Sequence, residues 1–140
     1  MDLHCAIYHG ELGVAEELIR SGIDVNAKDN FGNTPLARAL YDWHFGLARL
    51  LIEFGANVNS VNDNGISLLN EAVIDNNVHG VDFLIQHGAH LNLKSNNILP
   101  LDHALIRNHT NIVQTLIDNG GSSDTTRLSG RRRAREDEED

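Results

Sequence analysis

Histidine and cysteine are the side chains of this chain that could hold a metal ion. Eight histidines and one cysteine occur among its 140 residues. Cys5 and His9 are spaced to share one face of a helix, and His87 and His90 flank Gly88. A structural zinc site needs four ligands, and neither pair has further ligands nearby in the sequence. We therefore expect no metal and no cofactor, and we interpret Cys5 as a small apolar side chain.

Catalytic and phosphate-binding motifs are missing from the sequence. The chain has no phosphate loop with Gly-Lys-Ser or Gly-Lys-Thr, no Gly-x-Gly-x-x-Gly and no Gly-x-Ser-x-Gly. Asp102 and His103 could suggest an acid–base pair, but neighbours on a helix point in different directions and no nucleophile accompanies them. We expect a protein that is not an enzyme. A metal-dependent enzyme that uses the histidines is the competing hypothesis.

Composition and charge narrow the class of partner. The formal net charge is −9, and residues 1–120 alone hold 6 basic and 14 acidic side chains. Such a body repels nucleic acid and anionic lipid, so we expect a partner protein with a basic surface, and neither nucleic acid nor a membrane. A single cysteine excludes an internal disulfide, and the N-terminus has no signal-peptide pattern. These features predict a cytoplasmic protein, and we separately expect a monomer.

One period organises most of the chain. Four residue types recur at intervals of 33 or 32 residues. The recurring residues are Ala6, Ala39, Ala72 and Ala104; Leu18, Leu51, Leu84 and Leu116; Gly22, Gly55, Gly88 and Gly120; and Asn26, Asn59 and Asn92. A shared period of this length indicates a stack of similar supersecondary units.

The repeated residues resemble the ankyrin repeat family. Thr34-Pro35-Leu36 followed by Ala39 matches the family's Thr-Pro-Leu-His opening at three of four positions. Shorter matches open the first and fourth copies, and residues 54–59 and 87–92 resemble the family's closing Gly-Ala-Asp-Val-Asn. The fourth position departs from the pattern in three copies, which carry Ala37, Asn70 and Asp102 where the first copy has His4. Hydrogen bonding is the role that the resemblance implies for His4.

The resemblance implies an all-α solenoid of four helix–turn–helix repeats joined by short β-hairpin loops. We place the repeat domain at residues 1–121, with repeats at about 1–33, 34–66, 67–98 and 99–121. In the second repeat we expect helices at about 35–42 and 46–54. Thr34 should cap the first of them and Pro35 should open it.

Two local departures predict local distortion. The segment 95–99 lacks the glycine of the other hairpins and is one residue short, so its hairpin should be shorter or distorted. Trp43 stands where Asn76 and Asn108 end the first helices of later copies. Either the turn shifts so that Gly46 takes over, or Trp43 is strained. Its indole could cover apolar neighbours or serve a partner as an anchor.

Residues 122–140 are predicted to form a disordered charged tail, because they hold almost no large apolar side chains. Residues 131–135 include four arginines and could form a nuclear-import or anion-binding patch. The five acids at 136–140 favour a solvated, self-neutralising tail instead.

Hairpin tips and first helices of a stacked solenoid line up into one concave strip. We expect the protein-binding residues there, with the tyrosines and Phe31 as interface anchors. The predicted residues are Tyr8, His9, Phe31, Asn33, Tyr41, Asp42, Asn64, Ile66, Ile74, Asp75, Ile98 and Arg107. For the isoleucines, packing between repeats is an equal alternative.

The function that the resemblance implies is non-catalytic protein–protein recognition through this strip. Fold resemblance alone does not fix a function. An acidic inhibitor or immunity-type protein that masks a basic enzyme surface is the alternative, and a scaffold without a ligand of its own is a further one.

Overall fold

The computed structural model describes residues 2–124, which form eight α-helices in four antiparallel pairs. The pairs are α1 (Leu3–Tyr8) with α2 (Leu12–Arg20), α3 (Pro35–Tyr41) with α4 (Phe45–Glu53), α5 (Leu68–Ile74) with α6 (Val78–Gln86), and α7 (Pro100–Ile106) with α8 (Thr110–Asp118). First helices follow one another along the stack, and so do second helices. The all-α repeat solenoid predicted from the sequence is confirmed.

Local sequence signals set the helix starts. The Thr34 hydroxyl accepts a hydrogen bond from the Ala37 amide at 3.2 Å, and Pro35 is the first residue of α3. Ser67 caps α5 in the same way, with its hydroxyl 3.2 Å from the Asn70 amide. A side-chain acceptor satisfies an amide that has no partner within the helix. In the second repeat both helices begin and end within one residue of the predicted bounds.

The buried core runs through all four repeats. The alanine and leucine columns that define the period are buried, except that Leu18 is only half-buried. Leu18 belongs to the first of the four described helix pairs, and among the described residues only the second pair packs against it. The period is therefore the signature of side chains that pack between neighbouring helix pairs.

The recurring asparagines each connect one repeat to the next. The side-chain oxygen of each asparagine accepts a hydrogen bond from a backbone amide about one repeat further on. The pairs are Asn26 with Asn57 (2.8 Å), Asn59 with His90 (2.8 Å) and Asn92 with Ser122 (3.0 Å). The last bond lies beyond the predicted domain end at residue 121. Ser123 is buried and donates to Asp102, so ordered contacts continue to residue 124; the rest of the predicted tail lies outside the described residues.

The fourth position of the opening motif also connects repeats. His4 Nε2 lies 2.6 Å from the Ala27 carbonyl oxygen, and Asn70 Nδ2 donates to the Leu93 carbonyl at 2.8 Å. The hydrogen-bonding role expected of His4 is confirmed, and Asn70 takes the same role in the third repeat. Ala37 has no side chain that could reach the next loop.

The hairpin of the fourth repeat is shorter, as predicted. Ser95 and Ile98 exchange backbone hydrogen bonds of 2.9 and 3.1 Å around only two residues. Those residues, Asn96 and Asn97, have φ values of 54° and 64°. A two-residue type I′ turn requires positive φ at both positions, and asparagine tolerates it better than most residues. The loss of one loop residue therefore changes the type of turn, while the hairpin itself is retained.

The junction between the second and third repeats is wider than the others. Helix α3 approaches α5, and α4 approaches α6, less closely than the corresponding helices at the other two junctions. Between α4 and α6 the space holds aromatic rings, with Phe45 and Phe83 5.6 Å apart and Trp43 5.2 Å from His79. Between α3 and α5 the junction stays open.

Trp43 adopts a left-handed backbone with φ of 63°. Gly46 lies inside α4 and does not take over the turn. The indole is 57% exposed and contacts the Phe45 and His79 rings edge-on. A left-handed conformation is unfavourable for a residue with a bulky side chain, so this turn is strained.

Paired substitutions at this turn isolate the backbone strain. Trp43→Asn and Trp43→Ala both remove the indole, but only asparagine accepts a left-handed backbone readily. We expect the asparagine variant to be the more stable of the two by about 1 kcal/mol. Urea unfolding of both proteins measures the difference. Equal midpoints would show that the turn stores no strain.

Candidate protein-binding surface

The exposed sides of α1, α3, α5 and α7, together with the hairpin tips, are termed the first-helix face. One large apolar side chain per repeat lies on it at the same repeat position: Tyr8, Tyr41, Ile74 and Ile106. Tyr8, Tyr41 and Ile106 are 67%, 63% and 68% exposed, and Ile74 is half-buried. These four residues are termed the apolar row. Aligned exposed apolar side chains are typical of interaction sites, whereas isolated ones are common on any surface.

Arg38 links the two tyrosines of the apolar row. Its guanidinium lies 5.4 Å from the Tyr8 ring centre and 5.7 Å from the Tyr41 ring centre. Both distances fall within the range of cation–π attraction. At exposed sites such contacts contribute about 0.5–1 kcal/mol each, which favours the ring orientations seen here.

A groove follows the open side of the wide junction. Its main cavity has a volume of about 260 Å³. The groove is lined by Asn33, Ala37, Arg38, Tyr41, Leu68, Glu71 and Asp75. Ala37 lines the groove, and its methyl group makes none of the hydrogen bonds to the next loop that His4 and Asn70 make in their repeats. The departure from the opening motif and the wide junction together create this groove.

Two carboxylates give the groove a negative edge. Burial raises the pKa of Glu71, the nearby Asp75 raises it further, and Arg38 partly offsets both effects. Burial also raises the pKa of Asp75. Among residues 2–124, neither carboxylate has a cationic side chain within ion-pair distance. A cation placed in the groove would stabilise both charges.

Glutamine at position 71 should stabilise the folded protein near neutral pH. The raised pKa means that the protonated form favours folding and that the ionised form opposes it above that pKa. Because the group is partly solvated, we expect Glu71→Gln, in a chain truncated after residue 124 so that the basic segment 131–135 is absent, to raise the unfolding temperature by only about 1–2 °C at about pH 7. At about pH 3 the carboxyl is protonated in both states and the gain should vanish.

Thermal unfolding at the two pH values checks this prediction. Glu53→Gln changes an exposed position of α4 and serves as the control. A gain that persisted unchanged at the acidic pH would refute the electrostatic explanation.

The remaining predicted residues occupy several environments. Phe31, at a hairpin tip, is 79% exposed and borders a second cavity of about 200 Å³ with Tyr8 and Arg38. His9, Asn64 and Arg107 are exposed. Asn33, Asp42, Ile66, Ile74 and Ile98 are half-buried. The structure therefore gathers Tyr8, Phe31, Asn33, Tyr41 and Asp75 around Arg38 and the groove. The other seven predicted residues lie outside the lining of these cavities: His9, Asp42, Asn64, Ile66, Ile74, Ile98 and Arg107.

Sequence reasoning missed Arg38 and Glu71. A signal existed, since Cys5, Arg38, Glu71 and His103 share one repeat position, just as the tyrosines share another. Comparing repeats position by position would have placed Arg38 and Glu71 on the same face.

The surroundings of the residues considered for chemistry follow from the described contacts. In the described part of the chain, no three His, Cys, Asp or Glu side chains gather as a metal ion would require. Asp102 accepts hydrogen bonds from Ser123 and from the Asp124 amide. His103 is buried, and burial lowers its pKa. Across residues 2–124 no helix has the length and apolar character needed to cross a membrane.

Comparison with known proteins agrees with this architecture. A sequence model of the family described as ankyrin repeats (3 copies) matches residues 3–60 and 44–127, which include all eight helices. No curated protein matches the chain. Helix pairs, hairpin loops and family match together show that the chain belongs to the ankyrin repeat family.

Proposed function

We propose that the protein binds a partner protein, without catalysis, through the apolar row and the groove. The observation that carries this proposal is the Tyr8–Arg38–Tyr41 stack beside an open groove on the first-helix face. Large, ordered aromatic side chains next to a recess are typical centres of binding energy in protein interfaces. Ankyrin repeats are generally protein–protein interaction modules, which agrees with this reading.

The chemistry of the groove suggests what the partner presents. Tyr41 and Leu68 offer apolar contact, while Glu71 and Asp75 offer negative charge, and neither carboxylate has an ion-pair partner among residues 2–124. A segment with an apolar side chain next to lysine or arginine would complement both features. The acidic body would also attract such a segment from a distance.

Reversing one charge tests the electrostatic part of the proposal. Asp75→Lys should weaken partner binding at least about tenfold, because like charges then meet across the interface. The loss should shrink as salt screens the repulsion. A partner purified on the wild-type protein is titrated against each variant at low and high salt, which gives the change in dissociation constant. Asp118→Lys on α8 is the matched control. A similar loss in both variants would point to net charge and away from the groove.

An inhibitor or immunity-type protein that masks a basic enzyme remains the alternative, favoured by the acidic body. In that case the captured partner would be an enzyme that loses activity in the complex. Such binding should collapse in high salt, and salt-insensitive binding would count against it.

A further inference from the structure

The chain leaves the described region on the first-helix side of the stack. The Asp124 amide donates to Asp102 Oδ2 at 3.2 Å, and the Asp124 carboxylate lies 3.6 Å from Lys94 Nζ. Asp102 lies in the first turn of α7, next to His103. His103 is the counterpart of Glu71 one repeat earlier, and α7 packs directly on α5. The exit point is therefore one helix away from the groove.

The following residues are long enough to return to the groove. Packed helices lie about 10 Å apart, and an extended chain advances about 3.5 Å per residue. Residue 131 follows Asp124 by seven residues, a maximum reach of roughly 25 Å. The segment 131–135 can therefore reach Glu71 and Asp75 even if it follows a bent path.

Charge favours the groove as the place where this segment binds. Residues 125–135 carry five arginines and no acid. A guanidinium can pair with a carboxylate and stack on a ring at the same time, as Arg38 does on Tyr8 and Tyr41. Arg38 would repel an incoming arginine, but Glu71 and Asp75 outnumber it.

The acids at 136–140 compete for the same arginines. Pairs between neighbouring, fully solvated residues contribute little stability. Glu71 is half-buried, and neither it nor the exposed Asp75 has a cation within ion-pair distance in the described chain, so an arginine gains more from pairing beside Glu71 than from pairing within the solvated tail.

We propose that the arginine segment 131–135 docks in the groove of its own molecule and occupies the site of a basic partner segment. The docking is an intramolecular contact between arginines of this segment and the carboxylates of Glu71 and Asp75, beside Tyr41. Its regulatory consequence, competition with a partner, rests on the proposed function; the docking itself does not.

Spin labelling of the full-length chain tests the docking. Cys5→Ser removes the native thiol, and Ser129→Cys carries a nitroxide. We expect amide signals of Ala37, Tyr41 and Glu71 to broaden strongly and those of the second helices to broaden little. Replacing the arginines at 131, 132, 133 and 135 with glutamine should abolish this selective broadening, and high salt should reduce it.

A matched variant with the acids at 136–140 neutralised should keep or strengthen the broadening. Weak, uniform broadening that the glutamine variant leaves unchanged would overturn the proposal and indicate a self-neutralising tail. Broadening confined to the second helices would overturn it as well.

Partner binding separates this inference from the proposed function. If both hold, the glutamine variant should bind the isolated partner about three- to tenfold more tightly, because the competing segment is gone. If the selective broadening is observed but Tyr41→Ala leaves the affinity for the partner unchanged, the proposed function is refuted and the docking stands. If Tyr41→Ala weakens partner binding but the spin-labelled chain shows no selective broadening, the docking is refuted and the proposed function stands.

Discussion

Tyr41→Ala is expected to weaken partner binding by about 30-fold, equivalent to about 2 kcal/mol. Tyr41 is 63% exposed, borders the groove and stacks with Arg38. Its removal takes away the largest apolar contact at the groove and frees the Arg38 side chain on one side. Titration of the isolated partner against wild-type and variant protein gives the two dissociation constants.

Two controls make this result specific. Tyr41→Phe keeps the ring and its stacking on Arg38, so binding should change by no more than about threefold. Phe54 follows the last residue of α4, and its ring contacts Arg20 at the end of α2. Both belong to second helices and not to the first-helix face, so Phe54→Ala should leave binding unchanged. Weaker binding of Phe54→Ala together with unchanged binding of Tyr41→Ala would show that the interface lies away from the groove.

Leu84→Ala is expected to lower the free energy of unfolding by about 3 kcal/mol. Leu84 is fully buried on α6, where it contributes to the core shared by neighbouring repeats. Truncation removes apolar contacts and leaves a cavity that packed helices cannot fully close. Leu51→Ala, at the same position one repeat earlier, should have a similar effect.

Leu18→Ala provides the matched comparison. Leu18 has the same repeat position but is half-buried, because among residues 2–124 only the helix pair of the second repeat packs against its own pair. Its truncation should lower stability by only about 1 kcal/mol. Urea unfolding compares the three variants; an equal effect at all three positions would contradict a core built by stacking.

The fold could be predicted because its signals are local and repeated. Thr34 and Pro35 mark a helix start by their own chemistry, and they do so wherever the rest of the chain lies. The recurring asparagines were visible as a period, although their role needed coordinates, because each donor amide lies about thirty residues away.

The site was harder to predict because it depends on one junction. The groove opens where Phe45 and Phe83 occupy the space between α4 and α6 and Ala37 leaves a gap on the other side. No single repeat contains that information. Arg38 and Glu71 matter only because the two repeats that carry them face each other there, whereas Tyr8, Phe31 and Tyr41 were recognisable by side-chain type alone.

For Trp43, the backbone conformation could be predicted from its position in the repeat, but the role of its side chain could not. Its position in the repeat indicated a left-handed residue, and the backbone adopts that conformation despite the indole. Whether the ring serves packing or binding depends on neighbours in the next repeat, such as His79, that a single-repeat reading does not include.

Mapping the bound partner on the protein tests the central claim most directly. Backbone amide shifts of the full-length protein would be compared with and without the isolated partner. Recognition through the first-helix face predicts the largest changes at Arg38, Tyr41, Glu71 and the hairpin tip at Phe31, with small changes along α2, α4, α6 and α8. Changes concentrated on those second helices, with the groove residues unaffected, would contradict it.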